Sequence, residues 1–200
     1  MPETRKIDGL PSVEETDDML LLARRFLNEL SMRKKLQFNR RVSVGDLLTE
    51  RGDNAALCGF GEGTTMYDNV LVLGDVKVGR NTWIGPNCVL DGSGGGLEIG
   101  DFCSISAGVH IYSHDTVHWS LSGGKLPIRK NAVSVGDRVY IGPQSIVVAG
   151  VTVGRKSVIG ANSFVNRNVE EGTFVAGSPA VLVGRVEGED ENVQMVPVSK

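Results

Sequence analysis

Aromatic residues make up only 6% of this 200-residue chain, and histidine occurs three times. The three cysteines, Cys58, Cys88 and Cys103, are odd in number and have no CxxC spacing, which argues against a disulfide framework or a thiolate zinc knuckle. They read as reduced thiols of a cytoplasmic protein. No apolar run reaches the ~18 residues of a membrane span, and no secretory leader is expected. The net charge is -3 with no long block of one sign, so nothing points to a nucleic-acid partner. What the chain does have is 40% hydrophobic residues and 26 glycines, enough for one folded core with many tight turns.

Those apolar residues recur every six positions. Phe60, Met66, Val72, Val78, Ile84 and Leu90 begin the series. After a three-residue slip come Ile99, Ile105 and Ile111. Val135, Ile141, Val147, Val153, Ile159 and Val165 complete it. A period of six is neither the 3.6 of a helix nor the 2 of a strand, and it predicts a repeat architecture. The place after the ladder residue is often glycine (Gly61, Gly79, Gly85, Gly100, Gly136, Gly142, Gly154, Gly160), as expected where the backbone takes a positive φ. The fifth place is small, including Thr64, Thr82, Cys88, Cys103, Val139, Ser145, Ser157 and Ser163. Alternating large and small inward groups suit a narrow prism of stacked side chains, three hexads to a turn, with parallel strand pairing. Cys88 and Cys103 become packing residues on this reading.

Residues 1–58 lie outside the ladder. Residues 1–11 are expected to be a flexible start. Ser12 and Glu15 have the spacing of a capping box, and Met19, Leu22, Ala23, Phe26, Leu27 and Leu30 follow at helical spacing. The predicted helix packs its apolar stripe on the rest of the protein; the other reading is a membrane- or partner-binding helix. Val42–Leu48 is expected as a short helix or strand. The repeat domain is expected over 59–186 and a solvated acidic tail over 187–200.

The strings VGRNTW, IGPNCV, VGDRVY, VGRKSV and IGANSF, with GVHIYSHD and the closing FVAGSPAVLVGR, resemble the hexapeptide-repeat acyltransferases. Within that family they are most similar to the maltose and galactoside O-acetyltransferases and to polysaccharide-modifying acetyltransferases. The resemblance implies an all-β, left-handed parallel β-helix, with the N-terminal helical segment placed before it. It also implies acetyl-CoA as donor, a sugar or glycan hydroxyl as acceptor, and a homotrimer with sites between neighbouring prisms.

All three histidines lie at the ladder's one long interruption. Between Ile111 and Val135 the count of six continues, but positions 123 and 129 hold Gly123 and Arg129. The phase is kept while a turn's worth of chain departs, which predicts an extruded loop at about 113–134. The resemblance makes His114 the general base that deprotonates the acceptor hydroxyl, with His118 as the alternative. Imidazole suits this task because it titrates near neutrality. His110 falls at a sixth place, facing outward, either lining the acceptor site or simply exposed. His110, His114 and His118 are spaced for one helical face, but the β-branched surroundings argue against a helix, and no metal is expected.

The remaining site residues follow from the resemblance. Tyr140 is expected near the donor or acceptor, and Gly142 as the backbone oxyanion donor, with Pro143 after it unable to serve. Gly160 and Ala161 allow close approach of pantetheine. Arg167 and Arg185 are expected to meet coenzyme A phosphates or to be ordinary exposed charges. Asp91 and Asn87 are candidate acceptor contacts. The run Gly92–Gly96 is expected as a flexible bulge beside the groove. The rival functions are N-acetylation of a nucleotide-linked amino sugar and a non-enzymatic scaffold.

Overall fold

The computed structural model describes residues 13–198. Ser12 and the 1–11 segment lie outside the described residues. The chain divides into two compact units, 1–48 and 49–200. The first contains helices α1 (Val13–Phe38) and α2 (Val44–Leu48), which pack on each other.

The second unit opens with helix α3 (Arg51–Leu57), so this helix belongs with the repeat domain rather than with the N-terminal segment. Ala55 is buried against the core, Asn54 Nδ2 donates to the Met66 carbonyl at 3.2 Å, and the Arg51 guanidinium lies 3.5 Å over the Tyr67 ring.

Beyond α3 the chain coils. Residues eighteen apart pair in parallel, as Met66 with Ile84 and Ile141 with Ile159. Across the slip the spacing becomes twenty-one (Ile84 with Ile105, Leu90 with Ile111), and across the interruption thirty-six (Ile105 with Ile141, Ile111 with Val147). Every ladder residue is buried except Val72, which is half-buried. Ile84, Leu90, Ile105, Ile111, Ile141 and Ile159 have no accessible surface, so the period-six pattern is the core itself.

The fifth place carries a second ladder, built of hydrogen bonds. Thr64 Oγ1 accepts from Thr82 N–H at 3.0 Å, and Thr82 Oγ1 from Cys103 N–H at 3.0 Å. Ser145 and Ser163 repeat this on the later coils, ending on Gly177 N–H. Each hydroxyl also donates to a carbonyl, so these buried polar groups are satisfied. Cys88 and Cys103 occupy the same inward place, and burial pushes both thiols above their ordinary pKa.

The second-place glycines have a different cause from the one expected. None of them has a positive φ. A Cβ at Gly100 would lie 2.8 Å from the Asp137 backbone nitrogen, and one at Gly142 would lie 2.6 Å from that of Ala161. All but Gly160, whose near neighbours are the Ala176 and Phe174 side chains, are glycine because the next coil's backbone passes directly over them. The left-handed corners fall two places later, on Asn81, Asn87, Phe102, Arg138, Gln144, Lys156 and Asn162, with φ of 53–59°. Asparagine is at home there.

Residues 187–198 are largely exposed, Glu187–Glu191 included, yet they carry regular structure. Val181–Glu187 pairs antiparallel with Thr173–Ala176, and Gln194–Pro197 adds one more antiparallel strand.

Candidate active site

The longest strand among the described residues, Val89–Ile99, spans the glycine cluster, where its register against Leu71–Val78 shifts. Its first residues pair with His110–Tyr112 and its last with Val133–Val135. The interruption therefore starts and ends against one strand. Between these anchors His114–Asp115 pairs antiparallel with Arg129–Lys130, and a short helix, α4 (Val117–Leu121), lies between them.

The glycine run is the expected bulge, the pairing with Leu71–Val78 jumping from Gly74/Gly92 to Val76/Leu97, and it is closely packed. A Cβ at Gly92 would lie 1.9 Å from the Asp75 carbonyl oxygen. One at Gly94 would lie 2.1 Å from the Ser113 oxygen and 2.7 Å from His114 Cβ. Backbones approach here because side chains are absent. Ser113, with no accessible surface, ties the junction together: its N–H donates to the Asp91 carbonyl, its hydroxyl accepts from Gly94 N–H at 2.7 Å, and its carbonyl accepts from Asn131 N–H at 2.9 Å.

This packing brings three side chains together. His114 Nδ1 lies 2.6 Å from Asp91 Oδ2; the carboxylate has no accessible surface as a residue, and the imidazole is one-third exposed. Asp91 Oδ1 accepts from Ser93 N–H at 2.9 Å and from the Ser93 hydroxyl at 2.5 Å. The Ser93 oxygen is 3.2 Å from His114 Nδ1. Burial pushes the Asp91 carboxyl upward, but the two Ser93 bonds and the neighbouring His114 outweigh it and hold the pKa below the usual carboxylate value. Oδ2 is buried and, despite the 2.6 Å approach, makes no hydrogen bond of ordinary angle; because an ionised Asp91 only accepts, a proton on His114 Nδ1 is the one that would satisfy it and would leave the Nε2 lone pair free. The arrangement can take a proton at Nε2 and stabilise the resulting imidazolium.

Asp91 thus serves as the partner of His114 here, where it was expected as an acceptor contact. Asp115, adjacent in sequence, accepts from Val117 N–H at 3.1 Å. His118 is exposed on α4. His110, half-buried, meets the Tyr112 hydroxyl at 3.2 Å through Nδ1. The three histidines lie on two separate strands and a short helix. Among the described residues no group of three His, Cys, Asp or Glu side chains could hold a metal.

Gly142 does not have a free N–H for an oxyanion, because that group donates to the Ile159 carbonyl at 2.8 Å. Equivalent glycines do the same, as Gly85 does to Ile105 and Gly160 to Val175. The amide belongs to the coil-to-coil pairing. Asn87 is committed to a corner, exchanging two hydrogen bonds with the Asn69 side chain at 2.8 and 3.2 Å. Tyr140 is exposed on its strand between Ser104 and Val158. Gly160 is half-buried and Ala161 exposed. Arg167 lines a cavity of about 320 Å³ with Asn166, Thr173 and Leu182, while Arg185 is exposed on the strand opposite Thr173.

Two family models match the coiled region: the hexapeptide repeat of succinyl-transferase over residues 75–113, and the bacterial transferase hexapeptide over residues 132–167. The galactoside O-acetyltransferase of Escherichia coli is 27% identical over 135 residues, covering 58% of this chain and 66% of that protein. A hexapeptide-repeat acetyltransferase from Vibrio cholerae superposes with a TM-score of 0.62 at 25% identity, over 82% of this chain and 93% of that one. AntD, an N-acyltransferase from Bacillus cereus solved with dTDP and 3-hydroxybutyryl-CoA, superposes with a TM-score of 0.57 at 25% identity, over 62% and 70% of the two chains. The chain spans 60–66% of the length of three curated relatives that it matches. No helix among the described residues is long and apolar enough to cross a membrane.

Proposed function

Because the chain belongs to the hexapeptide-repeat transferase family, we propose that it is an acetyl-CoA-dependent O-acetyltransferase acting on a hydroxyl of a sugar or glycan precursor. The observation that carries the reading is the 2.6 Å pair between His114 and the buried Asp91, at the point where the chain leaves the coil. An alcohol is a poor nucleophile at neutral pH without a base. His114 Nε2 takes the hydroxyl proton as the oxygen attacks the thioester carbonyl carbon. The tetrahedral adduct then expels the coenzyme A thiolate, which recovers the proton from the imidazolium. Asp91 stays ionised throughout and steadies the charged ring. No covalent enzyme intermediate is needed.

The coil is left-handed in this reading and the enzyme a cytoplasmic homotrimer. Its three free cysteines support the compartment. The distribution of outward residues supports the assembly. One outward row carries Trp83 and Tyr140, and a second carries Leu71, Ile146 and Phe164, all exposed. The third carries Lys77, Glu98, Ser134 and Thr152, with Lys77 and Glu98 paired at 3.2 Å. Two rows suit contact with neighbouring copies and one suits water. Tyr140, Gly160, Ala161, Arg167 and Arg185 are assigned to the donor, and His110 and His118 to the acceptor side.

Replacing His114 with Ala should lower the turnover rate by about 10²–10⁴-fold, with acetyl-CoA binding by calorimetry unchanged. A fully active variant would refute the assignment. The likeness to AntD favours a second reading, N-acylation of a nucleotide-linked amino sugar. Coenzyme A release measured across a panel of hydroxyl and amino sugars separates the two.

A further inference from the structure

Ser93 is held on three sides although it is exposed. Its backbone is fixed by the neighbouring coil: a Cβ at Gly74 would lie 2.6 Å from both Ser93 N and Ser93 Cα. Its N–H and its hydroxyl both donate to Asp91 Oδ1, at 2.9 and 2.5 Å. Its hydroxyl oxygen also meets His114 Nδ1 at 3.2 Å in hydrogen-bond geometry.

A serine hydroxyl has one proton and two lone pairs, and an ionised carboxylate only accepts. The Ser93 proton therefore belongs to Asp91 Oδ1, and what the hydroxyl presents to His114 is a lone pair. The Nδ1 proton is directed there. Asp91 Oδ2 is nearer to Nδ1, at 2.6 Å, yet it makes no hydrogen bond of ordinary angle. The carboxylate thus supplies negative charge beside the ring, and the hydroxyl supplies direction. Without the hydroxyl, Nδ1–H has Oδ2 as its one remaining acceptor in this group and meets it squarely only if the ring turns. Turning the ring re-aims Nε2 on its other side.

We propose that Ser93 is a positioning residue for the transfer reaction: its hydroxyl, donating to Asp91 Oδ1, accepts the Nδ1 proton of His114 and sets the ring rotation that aims Nε2 at the acceptor hydroxyl. This role rests on the reading of His114 as the base. The test uses the full chain with isotope-labelled histidine, the Nδ1 nitrogen resonance of His114 being identified by its loss in His114→Ala. In Ser93→Ala that resonance should move, because the proton passes from a neutral acceptor to a charged one. The kcat for coenzyme A release should fall about tenfold, the factor carried by one ordinary hydrogen bond, with KM for acetyl-CoA and for the acceptor unchanged. Ser93→Thr keeps the hydroxyl and suits a strand, and it should return both the resonance and kcat to native values. An unmoved Nδ1 resonance in Ser93→Ala overturns the proposal. So does a loss confined to the acceptor KM, which would make Ser93 a substrate contact, and so does a threonine variant that behaves like the alanine one. The resonance is read on the resting chain, so it decides where Nδ1–H points even if His114→Ala stays fully active and the base assignment falls.

Discussion

Replacing Asp91 with Asn tests the proposed base more sharply than removing the histidine, because it keeps shape and changes one atom. The oxygen at the Oδ1 position is fixed by two donors, Ser93 N–H at 2.9 Å and the Ser93 hydroxyl at 2.5 Å. An asparagine must therefore keep its oxygen there and turn its NH₂ toward His114 Nδ1, 2.6 Å away in the native pair. That group can only donate, so the imidazole must accept at Nδ1 and place its proton on Nε2. The ring remains in position but holds the wrong tautomer for taking a proton. The expected loss is the general-base contribution, about 10²–10⁴-fold in kcat, or roughly 2.7–5.4 kcal/mol. KM for acetyl-CoA should change little. The assay is coenzyme A release with a saturating acceptor, compared with His114→Ala and with the double variant, which should be no slower than the slower single one. Turnover of the Asp91→Asn variant within about threefold of the native rate would refute the tautomer argument. The same residue sets an acid response. Its pKa is lowered in the folded state, so its stabilising contribution is present above the unfolded value near 3.8 and is lost as pH falls through the folded value. Acid unfolding of the asparagine variant should lack that component.

Gly94→Ala should cost about 1–3 kcal/mol in chemical denaturation and lower activity as well, since the added carbon would lie 2.7 Å from His114 Cβ; unchanged turnover would argue against a rigid junction. Under native conditions one thiol of three should react rapidly with a disulfide reagent, because Cys58 is exposed while Cys88 and Cys103 are buried with raised pKa; mass spectrometry of the labelled peptides reads this directly.

The coil was legible from the sequence because its core residues repeat in register, and burial of the ladder, half-buried Val72 apart, follows that register. The two cysteines assigned to packing occupy the inward place that their phase indicates. The reason for the glycines was not legible, because a missing side chain looks the same whether it permits a positive φ or a close backbone. Here the close backbone decides, and asparagines and even Phe102 take the turns. The carboxylate partner of His114 was missed, although the signal was present. Adding the three-residue slip to a coil of eighteen sets Asp91 beside Tyr112 and Ser93 beside His114. The commitment of Gly142 N–H was also missed, because hydrogen-bond supply between coils depends on stacking and leaves no trace in residue type.

Strand Val89–Ile99 holds both ends of the histidine-bearing excursion, His110–Tyr112 at its start and Val133–Val135 at its finish. The distance between departure and return is thus set by a single stretch of extended backbone, with Ser113 and the His114–Asp115 pairing holding the neck, and residues 116–128 have no part in it. Evolution can lengthen, shorten or reshape α4 and its flanks while the coil stays in phase and Asp91 stays under His114. On the proposed function, such a layout separates the part that can diversify from the part that must not, and it makes residues 116–128 the segment to exchange in seeking a different acceptor.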